Sequence, residues 1–408
     1  MTGRALLGIA LVVAGSIAGS PLVVLLGLAA AVFEGVRLVW RRRGLAAVVY
    51  ERRLARDRAV VGDTVPLDVT IWNRKRLPLA WLRAEDAATA GVSVRERRFA
   101  LTEDFGLALE NAWTLAPFER VVRHFHLVAD RRGVHAIGPV RLSVGDIFAG
   151  TAALEERSGS VRLVVRPRSV PVAGLTAAAR WGGTERARRG LIEHPALYAG
   201  VRDYQPGDPL RHLHHRASAR LGRPVTKRFE PARERDLLIA LDIQTLEGPT
   251  WQPAYDDDLV ESLCVAAASL ARHLRDEGAA VGLAVAGYAG APRPVALLAP
   301  SEASEQVPRI LDVLARLSPF PSAPFETLVA GLPGALRRGA EVVVLTSRDP
   351  APYLAALRRM RRLGFGMTVL ALGPRAPIAV ASARAVGFDA RTVRLEGTWA
   401  DATGLVVA

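Results

Sequence analysis

The sequence predicts a membrane-anchored multidomain protein: a two-helix transmembrane hairpin, an all-β sandwich-like domain, and then a doubly wound α/β domain. Three patterns lead to this prediction. No charged residue occurs from Ala5 to Phe33. From about Gly44 to Arg168 apolar and polar residues alternate with the period of strands. After Asp236 strand-like and helix-like segments follow one another, which is typical of a parallel sheet covered on both faces.

The uncharged run is too long for a single span. As one helix it would measure roughly 43 Å, against about 30 Å for a hydrocarbon core, and Gly19-Ser20-Pro21 interrupts it. Residues 1–43 are therefore predicted to form two spans, approximately Ala5–Ala18 and Leu22–Trp40. This segment is the expected contact with membrane lipid.

Positive charge at both ends of the hairpin sets its orientation. Arg4 precedes the first span and Arg41-Arg42-Arg43 follow the second. Positive residues favour the cytoplasmic side, so we expect a multi-pass protein of the inner (cytoplasmic) membrane of the cell, whose soluble domains face the cytoplasm. A signal peptide or a single span is the alternative. The second apolar run and the lack of a clear A-x-A cleavage signal favour the hairpin.

Composition narrows the possible partners. Half of the 408 residues are hydrophobic and the net charge is +14, with a mean hydropathy of +0.18. Between Arg180 and Arg235 there are 13 basic and 6 acidic residues, a surplus of 7 that is half of the total. A basic segment suits anionic lipid, an acidic protein or nucleic acid, but few aromatic residues accompany it, so no nucleic acid is expected. The single cysteine, Cys264, is predicted to be a buried, inert thiol.

Residues 44–168 are predicted to form the sandwich-like domain. Val65–Trp72 and Arg120–Val128 alternate with period two, and the turns Arg131-Arg132-Gly133 and Ile137-Gly138-Pro139 bound a further strand, Val140–Val144. His124 and His126 fall on one face of a strand. Two imidazoles without a third ligand indicate an exposed face rather than a metal site.

Residues 169–199 read as a basic linker rich in Ala, Gly and Arg, and residues 200–408 as the α/β domain. Its predicted strands and helices are Leu237–Leu241, Leu259–Arg275, Val281–Ala286, Val307–Leu317, Phe325–Arg338 with Pro333 dividing it, Val342–Leu345, Pro352–Leu363 and Met367–Leu372. The first of these strands ends on Asp242. In open α/β sheets that position faces the ligand crevice.

The start of this last segment carries the most specific pattern in the chain. Its elements are Tyr204-x-Pro206-Gly207-Asp208, Arg211, Ser218-Ala219-Arg220, Lys227-x-Phe229-Glu230 and the strand that ends in Asp242. This pattern resembles the bacterial family catalogued as domain of unknown function 58. The landmarks Arg132-Gly133, Gly138-Pro139, Gly145-Asp146-x-Phe148 and Arg166-Pro167-Arg168 resemble the family's upstream part. The resemblance implies a membrane-anchored protein with a von Willebrand factor type A-like domain, associated with MoxR-type AAA+ ATPases.

Type A domains carry a metal-dependent adhesion site of Asp-x-Ser-x-Ser form, with a later Thr and Asp. This chain departs from that pattern, since it has Gln244 and Leu246 in place of the serines and Arg348 in place of the aspartate. The degenerate site would consist of Asp242, Gln244, Thr327 and Asp349. A guanidinium beside Asp242 would take the place of the cation, so no cofactor is expected, with Mg²⁺ as the exception to be tested. Asp242 could equally cap a turn.

The function implied by the resemblance is a protein-interaction or assembly adaptor whose partner is a MoxR-type ATPase. The residues of the signature, Tyr204, Gly207, Asp208, Arg211, Ser218, Arg220, Lys227 and Glu230, would bind that partner or hold the segment together. A metal-dependent hydrolase using Asp203, Asp208, His212 and His215 is the alternative, although His214 and His215 would point apart on a strand. A structural membrane scaffold is the third. No phosphate-binding loop and no Gly-x-Ser-x-Gly elbow occurs, so we do not expect an enzyme.

Overall fold

The computed structural model describes residues 3–145, 151–175, 193–205, 208, 213–231, 236–246, 255–290 and 295–408. The chain divides into two compact units, residues 1–166 and residues 167–408. The first unit contains two N-terminal helices and a β-rich domain. The second contains a large sheet covered by helices and the segment from Tyr204 to Glu230, called the signature segment.

Two helices open the first unit. Helix α1 spans Gly3–Ile17 and α2 spans Pro21–Arg43, with Pro21 in the first turn of α2, where its missing N–H costs nothing. Among the described residues, α2 alone is long and apolar enough to cross a membrane, and Leu6–Ile17 is a shorter apolar helix. The three arginines expected beyond the hairpin form the last turn of α2.

The β-rich domain is built from eleven strands in the described part of the first unit. They are β1 (Val48–Leu54), β2 (Arg58–Val60), β3 (Thr64–Asn73), β4 (Leu79–Ala88), β5 (Val92–Val94), β6 (Ala100–Thr102), β7 (Gly106–Leu115), β8 (Arg120–Ala129), β9 (Gly133–Gly145), β10 (Thr151–Arg157) and β11 (Val161–Arg166). One sheet has the order β1-β3-β8-β5 and the other β2-β11-β9-β4-β7-β6, with β10 beside β9. Alternate residues of β3 are buried, as the period-two pattern predicts.

Polar contacts join these two sheets. Arg52 on β1 donates from Nη1 to Asp86 Oδ1 on β4 at 2.8 Å, and the Tyr50 hydroxyl also donates to Asp86. Asp86 is fully buried. Burial raises the pKa of its carboxyl to about 6, against the opposing effect of Arg52. The sandwich-like prediction thus corresponds to two facing sheets with a buried polar link.

One predicted turn in this domain is wrong. The Ile137-Gly138-Pro139 segment lies inside β9, where the pairing of β9 with β4 shifts register between Ile137 and Val140. Proline cannot donate to a sheet ladder, and an irregularity of this kind accommodates it without ending the strand. Gly138 lies at φ +108°, a conformation that glycine adopts without a steric penalty.

The second unit is dominated by one eight-stranded sheet. Its elements, with those flanking it, are β12 (Val172–Ala173), β13 (Glu193–Asp203), α3 (His215–Leu221), β14 (Val225–Pro231), β15 (Asp236–Leu241), α4 (Asp257–Asp276), β16 (Ala280–Val285), β17 (Gly287–Ala289), β18 (Ala296–Ser301), α5 (Gln306–Arg316), β19 (Leu317–Pro321), α6 (Phe325–Gly331), β20 (Glu341–Thr346), α7 (Leu354–Arg362), β21 (Gly366–Leu372), α8 (Ala376–Ala385), β22 (Asp389–Glu396) and β23 (Gly404–Val407). The sheet order is β12-β23-β22-β21-β20-β15-β16-β18.

Five neighbouring strands of this sheet, from β16 to β22, are parallel, and antiparallel β18 and β23 flank them. Strand β15 lies near the centre. Leu237, Ile239 and Leu241 face one core with α4 and α5. Leu238 and Ala240 face a second core with α6, α7 and α8. Both faces of the sheet are therefore covered, which explains the uninterrupted apolar run of β15.

Several boundaries differ from the predicted ones. Helix α6 ends at Gly331, earlier than predicted, and a 3₁₀ turn at Leu332–Gly334 follows the helix. Pro333 lies in this turn, because proline cannot continue the helix. The start of the predicted linker belongs to the sheet, since β12 pairs in parallel with β23 and Val170 N donates to Ser269 Oγ at 3.0 Å. The middle of that linker, residues 176–192, lies outside the described residues. Cys264 is buried, as predicted.

Glu341 begins β20 and provides a test of this packing. Burial is the main cause that raises the pKa of its carboxyl to about 7; a 2.9 Å hydrogen bond from Thr368 Oγ1 acts to lower this pKa, and the nearby Asp389 carboxylate acts to raise it. A native pKa above the unfolded value of about 4.3 means that the native state binds the extra proton. The stability contributed by Glu341 is present below about pH 4 and is lost as the pH rises to about 7.

We therefore expect Glu341→Gln to stabilise the protein at pH 8, by about 3 kcal/mol, and to change stability at pH 4.5 by less than about 1 kcal/mol. Urea unfolding at the two pH values measures this difference. Glu302→Gln, at an exposed position, is the matched control and should show no such pH dependence. An equal effect of both substitutions, or none at pH 8, would contradict the assignment.

Candidate functional site

The site is built where the strand order of the sheet reverses direction. Chain order runs from β15 outward to β16 on one side and then from β20 to β22 on the other. The crossover helices therefore leave β15 and β20 toward opposite faces, and a crevice opens between their carboxyl ends. Asp242 directly follows β15, and Thr346 ends β20. Sequence and topology together place both side chains at this edge.

Asp242 is the centre of a buried polar network. Arg348 Nε donates to Asp242 Oδ2 at 2.9 Å, and Thr346 Oγ1 donates to the same oxygen at 3.1 Å. The other carboxylate oxygen, Oδ1, accepts from the backbone N–H of Gln244 at 3.1 Å. The side chains of Asp242 and Arg348 are only 1% and 7% exposed. Each carboxylate oxygen thus has a protein partner in place of water.

Arg348 is held by three further groups. Its Nη2 donates to Gln244 Oε1 at 2.8 Å, and its backbone N–H donates to Thr346 Oγ1 at 3.2 Å. The guanidinium carbon lies 5.4 Å from the ring centroid of Tyr353, which is fully buried. A guanidinium so placed connects Asp242, Gln244 and an aromatic face, and lysine could not reproduce its planar donor geometry.

Electrostatics favour keeping this pair together. Burial raises the pKa of Asp242, while Arg348 and the hydrogen bonds from Gln244 and Thr346 act to lower it. Burial alone would lower the pKa of Arg348, but the adjacent carboxylate outweighs that effect and raises it. Removing either partner would leave a desolvated charge without compensation.

The four residues of the predicted degenerate metal site make different contacts. Asp242 and Gln244 both accept hydrogen bonds from Arg348. This is the arrangement considered from the sequence, in which a guanidinium takes the place of the cation. Asp349 instead accepts a hydrogen bond from Ala351 N at 3.0 Å. Thr327 is an exposed residue in the first turn of α6. Over the described residues, no group of three or more His, Cys, Asp or Glu side chains is arranged to hold a metal ion.

The segment after β15 also contacts the start of the next helix, α4. Thr245 Oγ1 accepts from Asp256 N at 2.6 Å, and Asp256 caps α4 by accepting from Leu259 N at 3.1 Å. Leu246 is 37% exposed beside this turn. The edge therefore presents an apolar side chain next to a polar network that is itself satisfied.

The signature segment forms a second, separate cluster around Asp208. Strands β13 and β14 form an antiparallel pair. Asp208 accepts two hydrogen bonds from Arg202, at 2.7 and 2.6 Å, one from Gln205 N at 3.0 Å and one from Thr226 Oγ1 at 3.3 Å. The hydrogen bonds from Arg202, followed by that from Gln205, lower the pKa of Asp208 to about 2. The Asp208 carboxylate therefore binds a backbone amide and two side chains of its own segment.

Other signature residues hold the same hairpin. Ser218 Oγ accepts from Val225 N at 3.0 Å and so ties α3 to β14, and Tyr204 N donates to Pro224 O at 3.1 Å. Arg223 pairs with Asp203 at 3.0 Å. Arg220 is exposed in the last turn of α3.

The expectation that His214 and His215 lie on a strand is wrong. His214 Nδ1 caps α3 by accepting from Ala217 N at 3.1 Å, and His215 is the exposed first residue of that helix. An imidazole that accepts at a helix start replaces the usual hydroxyl or carboxylate cap, which the sequence pattern did not indicate. Gly207, Arg211 and His212 lie outside the described residues, as do the side chains of Lys227 and Glu230.

His124 and His126 project from one exposed face of β8, as predicted. Asp68 on β3 and Glu96 in the turn after β5, which the sequence argument did not include, accompany them. His124 Nδ1 lies 2.7 Å from Asp68 Oδ1, and the backbone N–H of His126 donates to Glu96 at 3.0 Å. Each imidazole therefore has its own carboxylate on the surface of the sheet.

Sequence reasoning missed Arg202, Thr346 and Tyr353 as site residues. The Arg202–Asp208 pair spans only six positions, but its geometry depends on the hairpin that β14 completes. Thr346 and Tyr353 have no motif of their own. Their roles follow from the end of β20 and the turn after it.

One known protein family matches the part of the chain that contains the signature segment. The family described as "Protein of unknown function DUF58" matches residues 200–373. A Bacillus subtilis (strain 168) protein described as "Uncharacterized protein YeaD" is 25% identical over 245 residues, which are 58% of this chain and 55% of that protein. The chain thus spans about half of this relative.

Two solved structures that are similar to this chain each cover less than a third of it. The CARDB domain of PF1109 from Pyrococcus furiosus is 14% identical and covers 29% of this chain and 91% of its own, with a TM-score of 0.21. Native alpha-2-macroglobulin from Escherichia coli is 19% identical and covers 29% of this chain and 16% of its own, also with a TM-score of 0.21. Likenesses of this size carry no argument about fold or function.

The Asp242–Arg348 pair gives a direct test of the site. Arg348→Met should destabilise the protein by about 3 kcal/mol, because the Asp242 carboxylate is left buried without its partner. In the double variant Asp242→Asn/Arg348→Met the loss should be smaller than the sum of the two single losses by more than about 1 kcal/mol. Denaturant unfolding of the four proteins measures this coupling.

Arg338→Met removes an exposed arginine of the same unit and should change stability by less than about 0.5 kcal/mol. Strictly additive losses at positions 242 and 348 would show that the two side chains do not act as a pair.

Proposed function

We propose that this chain is a membrane-anchored adaptor that binds a protein partner through the carboxyl edge of its α/β sheet. The observation that carries this proposal is the self-satisfied Asp242–Arg348–Gln244 network at the crevice of the sheet. Its carboxylate and its guanidinium are already bonded to each other, and beside the network lies the exposed Leu246. Such an edge suits recognition of another surface better than chemistry on a small substrate.

The fold that we infer for the second unit is von Willebrand factor type A-like. The strands of its central sheet, numbered from β15 along the chain, lie in the order third, second, first, fourth, fifth, sixth, with the third (β18) antiparallel. That is a doubly wound order, and it supports the fold implied by the sequence resemblance. The MoxR-type AAA+ ATPase as partner rests on this resemblance alone.

Membrane anchoring by a helical hairpin is the second part of the proposal. Glycines lie where α1 and α2 approach each other. A Cβ added at Gly15 would lie 2.7 Å from Val24 N, and one at Gly27 would lie 2.6 Å from Val12 N. Small residues at such contacts let helices pack closely in lipid. Arg41, Arg42 and Arg43 at the end of α2 favour a cytoplasmic position for the domains that follow.

The hydrolase alternative has less support. Two of its four residues, Asp203 and Asp208, form ion pairs with Arg223 and Arg202. A carboxylate with a pKa of about 2 is also a poor general base near neutral pH. We therefore infer that these carboxylates stabilise the antiparallel pair of β13 and β14.

Crosslinked capture of the tagged full-length protein from native membranes tests the adaptor role. We expect an AAA+ ATPase to be enriched, and Leu246→Glu to reduce its recovery more than about fivefold, because a charge would be placed on the contact surface. Chelation of divalent cations should leave recovery unchanged, since a guanidinium stands at the cation's place.

Leu154→Glu is the matched control, with the same substitution at a residue of β10 that is 60% exposed. Equal capture by Leu246→Glu and the wild type would remove the carboxyl edge as the contact. The absence of any AAA+ ATPase from the wild-type capture would overturn the assignment of that partner.

A further inference from the structure

The two helical layers of the α/β unit carry different charge. Helices α4 and α5, on one face of the sheet, contain four arginines and five carboxylates. Helices α6, α7 and α8, on the other face, contain five arginines and one carboxylate, Glu326. Outside the basic segment that the sequence singles out, the helices on one face of the sheet therefore carry a positive excess, and those on the other face do not.

The arginines of that layer gather toward its amino edge, the edge opposite Asp242. Helix α7 runs antiparallel to the strands, so its last turn lies where β21 begins, and α8 ends beside the start of β22 in the same way. Residues just before β20 lie at this edge too. We call this surface the arginine corner; it comprises Arg337, Arg338, Arg358, Arg359, Arg362 and Arg384, all of them exposed.

Packing fixes the corner in place. Leu357 and Met360 bury one side of α7 against the sheet, which turns Arg358, Arg359 and Arg362 outward. Arg361 joins the ends of α7 and α8, because its Nη1 donates to Gly387 O at 2.8 Å and its guanidinium lies 4.6 Å from the Phe388 ring centroid. The positive side chains thus stand on a rigid base.

An apolar residue lies within this charged surface. Leu363, directly after α7, is 46% exposed. Arginines around an exposed leucine match the membrane–water interface, where guanidinium groups bind headgroup phosphates and apolar side chains reach the acyl boundary. On α4 and α5 of the opposite layer, no large hydrophobic residue is exposed among those described.

We propose that the arginine corner binds the headgroups of anionic phospholipids. The choice of lipid over an acidic protein rests on the exposed leucine among the arginines and on the apolar helix α2, which would hold the chain at a bilayer. The inference uses the anchoring part of the proposed function but not its protein partner. Contact at the amino edge would direct the opposite, carboxyl edge away from the lipid.

The test uses the full-length protein in nanodiscs with a fluorophore on Leu363→Cys, which labels selectively because Cys264 is buried. We expect quenching by headgroup-proximal spin-labelled lipid to be at least about threefold stronger with 30% phosphatidylglycerol than with phosphatidylcholine alone. About 1 kcal/mol per arginine near an anionic surface, or roughly fivefold in affinity, makes such a difference reachable. Added 0.5 M salt should reduce it.

Arg359→Glu/Arg362→Glu should bring quenching down to the phosphatidylcholine level. Arg272→Glu/Arg309→Glu makes the same change in charge at exposed positions of the other layer and should keep the response. Equal quenching in both lipids, or equal loss in both double variants, would overturn the proposal. Co-elution of protein and nanodisc reports membrane anchoring separately from quenching. Protein that fails to co-elute is tested with preformed vesicles. These two measurements distinguish a failure of the anchor from a failure of the arginine corner.

Discussion

The architecture of the second unit depends on how one buried carboxylate is neutralised. Strand β15 is apolar on both faces because helices cover both, and it therefore delivers Asp242 into a region with almost no access to water. A carboxylate there must be paired or protonated. Arg348, two residues after the end of the neighbouring strand β20, forms the ion pair with Asp242. The topology that creates the crevice thus also creates the need for the pair.

A guanidinium differs chemically from a divalent cation in this position. A hard cation attracts six or more oxygen ligands and leaves places for an incoming carboxylate. Arg348 has directional donors, and two of its nitrogens are already used by Asp242 and Gln244. Its contact with Tyr353 further restrains the plane of the group. At the carboxyl edge these contacts hold Asp242, Gln244 and Arg348 in fixed positions relative to one another.

Much of this fold could be predicted from the sequence, because local periodicity reports burial. The apolar run before Asp242 and the spacing of α4 both arise from burial against the sheet, and both elements were found within a few residues of their observed bounds. The pairing of Arg348 with Asp242 could also be considered, since the two residues follow neighbouring strands. Its partners Thr346 and Tyr353 could not, because nothing in their local sequence reports the geometry of the crevice.

The failures share a cause in contacts between distant parts of the chain. Strand β12 is only two residues long and exists because β23, more than two hundred residues later, pairs with it. The turn expected at Gly138-Pro139 became an irregularity within β9, because β4 continues to pair on either side of it. His214 caps a helix whose start is set by the tie between Ser218 and β14. Each of these outcomes depends on tertiary pairing that overrides a local preference.

The charges of the α/β unit follow from the same topology. In a parallel sheet each crossover helix runs antiparallel to its strands, so helix carboxyl ends collect at the amino edge of the sheet. Basic residues there interact favourably with the helix dipoles, which gives arginines in the last turns of α7 and α8 a stabilising role of their own. That role does not extend to Arg337 and Arg338, which precede a strand, nor does it explain the exposure of Leu363. The corner therefore carries more positive charge and more apolar surface than helix stability requires, and a bilayer interface accounts for both.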